Sequence, residues 1–189
     1  MAVNLVEAVR RDLNFPPLKK IDPNTGDASQ ASSNDATTRL PHAAIATVLA
    51  GFFKFTRTDK GCNYILAGGG PKNWLDTLFE DNRDDAVEKV AQFANVSFDE
   101  AAETMEDVAR EAVIIIHEGP GAGPTAEKLK AYMSDQRHNI LLYLPPALQI
   151  GELLNEASMD DRTNKMEGPV SNLIHNIENK FSGGGSGSQ

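Results

Sequence analysis

His117 and Glu118 stand side by side, as the first half of a zinc-protease helix would place them. That motif needs a second histidine one turn on, so that two imidazoles share a metal while the glutamate acts as base. Gly119 and Pro120 follow instead. The other histidines, His42, His138 and His175, are far apart and show no ligand spacing. Asp22, Asn24 and Gly26 open like a calcium loop, but Ser33 takes the place of the bidentate glutamate. Asp160 and Asp161 are followed by Arg162, a cation where a further acidic ligand belongs. No serine lies in a Gly-x-Ser-x-Gly elbow. Cys62 is alone, with no base or motif beside it, and reads as a core thiol. These residues point to no catalytic group, metal set or cofactor, so the chain is expected not to be an enzyme. A minor enzyme alternative would pair His138 with Asp135, or Asp160 with Arg162.

Two segments offer binding rather than catalysis. Gly68-Gly69-Gly70-Pro71-Lys72 is a glycine turn feeding a helix, and free backbone N–H groups at a helix start attract anions. Gly69, Gly70 and Lys72 are the candidate residues, with Lys60 as a possible helper. No strand precedes them and no Gly-Lys-Ser/Thr follows, so this is no P-loop, and a plain interhelical turn is the favoured reading. The second segment is Met159 to Gly168, MDDRTNKMEG. Its favoured reading is an ordered capping loop. Its functional reading is a recognition surface built from Asp161, Arg162, Asn164 and Lys165.

Helices must position all of this. Val6, Val9 and Leu13 share one face of a first helix that stops before Pro16-Pro17. A polar stretch follows, so residues 1–15 are expected to be a detachable helical arm and 16–39 a flexible linker. Pro41 is placed as the start of a second helix, with Ile45, Val48, Leu49, Phe52 and Phe53 in its stripe. Thr58 to Gly61 makes a turn before CNYILA, and Asp81 or Asn82 caps a helix burying Val87, Val90 and Ala91. Ser97 with Glu100 forms a capping box. The helix it opens turns Phe98, Ala101, Met105, Val108, Ala109, Ala112, Val113 and Ile116 inward, and its end, AVIIIH, reads as central because it is apolar nearly all round. GPGAGP breaks the chain, and a further helix runs toward Tyr143 and stops at Pro145-Pro146. A final amphipathic helix opens at Pro169 with Val170, Leu173, Ile174, Ile177 and Phe181 on one face. Residues 182–189 read as a disordered Gly/Ser tail. No period-two alternation persists anywhere.

The expectation is an all-α chain: a single multi-helix bundle over residues 40–181, with the helical arm on its linker in front. Its 189 residues suit one domain, and the 40% hydrophobic share supplies a core. No apolar run is long enough to span a bilayer. Charges at Glu7, Arg10, Arg11 and Asp12 break up any secretion signal, and one cysteine suits a reducing compartment, so a cytoplasmic location is expected. From Trp74 to Glu111 there are twelve acids against three bases, which matches the whole net charge of −9. Such a surface repels phosphate backbones and argues against nucleic acid. It is either a solvated face or a dock for a basic partner.

HAAIATVLAGFFKFTRTDKGCNYILAGGG, then WLDTLF, then AQFANVSFDEAAETMEDVAREAVIIIHE resembles the YidB-like group of bacterial domains of unknown function. The resemblance spans His42 to Glu118 and implies an all-helical bacterial domain, with no catalytic residues to carry over. The leading functional expectation is a helical protein–protein interaction module with a protein partner. The alternative is a small-ligand or lipid-binding bundle, with its pocket among Phe52, Phe53, Ile115, Leu141, Tyr143 and Leu148.

Overall fold

A computed structural model describes residues 4–21, 36–68 and 70–154. The architecture is all helical, and no strand occurs among the described residues. In chain order the helices are α1 (Leu5–Asp12), α2 (Ala36–Phe55), α3 (Asp59–Leu66), α4 (Trp74–Phe79), α5 (Arg83–Ala94), α6 (Phe98–Glu118), α7 (Ala126–Tyr143) and α8 (Ile150–Leu153).

Local chemistry sets most helix starts. Thr58, Asn73, Ser97 and Thr125 are extended residues whose side-chain oxygens accept from the amide three residues on, opening α3, α4, α6 and α7. Ser97 thus supplies its half of the capping box, accepting from the Glu100 amide at 3.2 Å. Asn82 occupies the N-cap position of α5 without a capping bond. Its Nδ2 donates instead to the Leu153 carbonyl at 2.8 Å and ties α5 to α8.

The centre of the fold is α2. Leu40 through Phe53 are buried without a break, because α1, α4, α5, α6, α7 and α8 surround the helix. The expected stripe is present, but the opposite face is buried as well. Ala43, Ala44, Ala46, Ala50 and Gly51 keep that face thin enough for neighbours to close over it. The helix begins at Ala36 rather than Pro41, so Pro41 sits inside it and forgoes one helical hydrogen bond. Burial of Leu40, Pro41 and His42 offsets that loss. The AVIIIH end of α6, expected to be central, is peripheral: Ile116 is buried but Ile114 is 53% exposed. Phe98, expected inward, is 38% exposed, with the Arg83 guanidinium 5.7 Å from its ring centroid.

The first helix is not detached from the core. Leu5, Val6 and Val9 are fully buried against α6, α2 and α7. The Leu5 amide donates to Gln136 Oε1 at 2.9 Å, so α7 supplies a long-range bond to the start of α1. The Tyr143 hydroxyl donates to Glu7 Oε1 at 3.1 Å. The first residues assigned to a linker are also held: Leu18 is buried, and the Ile21 amide donates to the Leu142 carbonyl at 2.8 Å. The rest of that linker up to residue 35, Gly69, and everything after Leu154 lie outside the described residues. That includes the predicted final helix and the Gly/Ser tail.

Candidate functional site

Glycine packing builds one end of the bundle. A Cβ on Gly61 would overlap the Phe55 carbonyl oxygen, so glycine lets α3 fold back tightly over the end of α2. The Cys62 thiol donates to the Thr56 carbonyl at 2.9 Å, and burial pushes its pKa up. It behaves as a core residue, not as a thiolate. Lys130 pairs with Asp59 at 2.7 Å and fastens α7 to α3.

This fold-back exposes a chain of aromatic rings. Phe52 lies 5.3 Å from Trp74, Trp74 lies 6.1 Å from Tyr64, and Tyr64 lies 6.0 Å from Phe55, the last two pairs edge-to-face. The series runs from the buried core at Phe52 to Tyr64, which is 39% exposed. Trp74 and Ile65 also line a cleft of about 230 Å³, closed by Gly68 and Gly70 on one side and Val113, Ile114, His117 and Glu118 on the other. A larger groove of about 550 Å³ includes Tyr64, Phe55 and Leu78, but its rim mixes Lys54 and Lys60 with Asp76 and Glu80.

The cleft is edged by charge. Glu103, Asp107, Arg110, Ile114 and Glu118 are exposed on the outer side of α6. They recur at three- and four-residue steps, so Ile114 is an apolar residue on a mainly acidic stripe. Of the twelve acids in the acidic stretch, Glu106 is the one turned into the fold. Its carboxylate accepts from the Trp74 amide at 3.0 Å and the Leu75 amide at 3.2 Å, with Arg110 at 3.5 Å.

That bond decides the glycine-turn candidate. An anion at the start of α4 needs its free amides, and those of Trp74 and Leu75 are on Glu106 while that of Asp76 is on Asn73. Gly70 and Lys72 are exposed beside this start, and Gly69 lies outside the described residues. The internal carboxylate already fills the place of the expected anion. Asp161, Arg162, Asn164 and Lys165 also lie outside the described residues. The structure brings none of the sequence-derived candidates together with Trp74 except Gly70, which lines the same cleft.

The suggested ligand pocket is instead core. Phe52 and Leu148 are fully enclosed, Phe53 and Tyr143 nearly so, and Ile115 and Leu141 pack against them. Asp135 and His138 are both exposed on α7. His42 is buried, its Nε2 lies 2.7 Å from the Tyr143 carbonyl, and burial lowers its pKa despite that bond. Among the described residues, no three His, Cys, Asp or Glu side chains gather as a metal site, and no helix is long and apolar enough to cross a membrane. Sequence reading missed Trp74, Tyr64 and Ile114. The signal available was that AVIIIH is apolar on more faces than one core can cover.

No family model, curated protein or solved structure matches the chain. The resemblance to YidB-like domains therefore rests on the residue pattern alone.

Proposed function

We propose that the chain is a non-enzymatic helical interaction module that docks a basic amphipathic helix of a partner protein in the Trp74–Ile114 cleft. The supporting observation is Ile114, half exposed at the mouth of an apolar cleft and flanked by acids one turn away on either side. An apolar anchor on the partner enters beside Trp74. Its basic residues then meet Glu111 and Glu118, which guide approach and fix register more than they add affinity. A volume of about 230 Å³ falls below the usual range for small-ligand pockets, roughly 300–1,000 Å³, and suits one or two side chains.

A leucine–lysine amphipathic peptide tests this, titrated against the full chain and against Ile114→Asp. Binding by the wild type, weakened about tenfold in the variant, supports the reading, since an aliphatic contact of this kind is worth about 1–2 kcal/mol. Added salt should slow association more than it speeds release. Equal binding to both chains, or none to either, overturns it.

A further inference from the structure

We infer that residues 169–181 of the same chain occupy the Trp74–Ile114 cleft in cis and hold it closed until a better-matched partner displaces them. The inference rests on the docking reading above and names how that site is regulated. Its first support is complementarity within one chain. The sequence predicts an amphipathic helix there, with Val170, Leu173, Ile174, Ile177 and Phe181 on one face, and such a face needs an apolar partner. The bundle presents one at the cleft, where Ile114 and Tyr64 remain in solvent.

The second support is reach. The described chain ends at Leu154, which is buried and follows the α8 turn bonded to Asn82. Fifteen residues, 155–169, separate it from Val170. Extended, they span up to about 50 Å. A domain of this size has a radius of gyration of about 14 Å, so the tether reaches any point of its surface. A tether of that length gives a local concentration in the millimolar range, enough for a weak contact to close the site.

The third support is charge. The segment carries Glu178 and Lys180 and no basic cluster, so it matches the apolar cleft but not its acidic margin at Glu111 and Glu118. A basic amphipathic helix matches both. The cis contact is therefore the weaker of the two and is displaced by mass action. The polar run Asp160 to Glu167, with Asp161, Arg162, Asn164 and Lys165, then serves as the tether.

The test uses the full chain and its single tryptophan, Trp74, which lines the cleft. Leu173→Glu with Ile177→Glu should disrupt the cis helix while leaving every described core residue in place. The expected result is a red shift of Trp74 emission, stronger acrylamide quenching, and an affinity for the leucine–lysine peptide raised about tenfold. A synthetic peptide of residues 167–182, added in trans, should reverse the red shift. It should fail to do so when Ile114→Asp is also present. Unchanged emission and unchanged peptide affinity in the tail variant overturn the cis contact. If the wild type still binds the leucine–lysine peptide in an Ile114-dependent way, the docking reading survives that result; if it binds nothing, both fall. Emission that depends on protein concentration assigns the helix to a second copy and also overturns the cis contact.

Discussion

The carboxylate of Glu106 on α6 accepts from the backbone amide of Trp74 at the first residue of α4, 3.0 Å away and thirty-two positions earlier in the chain. α4 is a six-residue helix and depends on neighbours for its stability. Glu106 supplies a charge-assisted cap to two of its free amides and fixes the tryptophan that lines the cleft. Glu106→Ala should cost about 2–3 kcal/mol, since hydrogen bonds to a charged group count for more than neutral ones. Glu106→Gln keeps an accepting oxygen and should cost about half as much. Urea unfolding gives both values. The Trp74 near-ultraviolet circular dichroism should weaken in the alanine variant before the helical signal does.

Two glycines separate crowding from conformational strain. Gly61→Ala places a methyl group on the Phe55 carbonyl and should destabilise by more than about 2 kcal/mol, because backbone must move. Gly68→Ala meets nothing within 4 Å, but its φ of +70° disfavours any side chain. That change should cost about 1 kcal/mol. Thermal melts should show the difference as a Tm drop at least twice as large for Gly61→Ala. Equal drops would mean that α3 packs less tightly on α2 than described.

His42 gives the stability a pH dependence. Its folded pKa lies below the ordinary histidine value of about 6.5. The unfolded chain therefore takes up the proton first as pH falls, and native stability is lost from about pH 6.5 down to the depressed folded value. Above that window the neutral ring is the ground state in both forms and this contribution is constant. His42→Gln retains a donor for the Tyr143 carbonyl and removes the titration. Urea midpoints across that pH range should slope in the wild type and lie flatter in the glutamine variant. Parallel slopes would assign the effect to other groups.

The docking of α1 can be tested at Gln136. Gln136→Ala removes the acceptor of the buried Leu5 amide and should cost about 1–2 kcal/mol. Hydrogen exchange should speed up first in residues 5–12. Val9→Asp puts a charge into a fully buried site and should cost more than about 3 kcal/mol. A Val9→Asp chain as stable as the wild type would restore the detachable arm.

Much of the fold could be read in the letters because its signals are local. Thr58, Ser97, Gly119 and Pro145 mark element ends through chemistry that reaches only three or four residues. The candidate site was less legible because its residues are assigned by packing. Glu106 counts as one acid among twelve in the sequence, and only the fold singles it out as a cap. Phe98 and Ile114 fit a helical stripe as well as Met105 does, yet the bundle has no neighbour to place over them. The α1 helix looked separable because proline and polar residues follow it, whereas its attachment comes from Gln136, more than a hundred residues away. Small residues on α2 gave the opposite error: alanines that read as a neutral face are the places where neighbours approach.

The encirclement of α2 has a consequence during synthesis. Its apolar surface leaves the ribosome early, but α6 and α7, which cover two of its sides, follow later, with roughly ninety residues between Phe55 and Tyr143. At ordinary translation rates that interval is on the order of ten seconds. For that time a nascent helix with no polar side from Leu40 to Phe53 is exposed to the cell. The chain is thus built as a client for holdase chaperones at birth, and the translation speed of its second half sets how long it needs them.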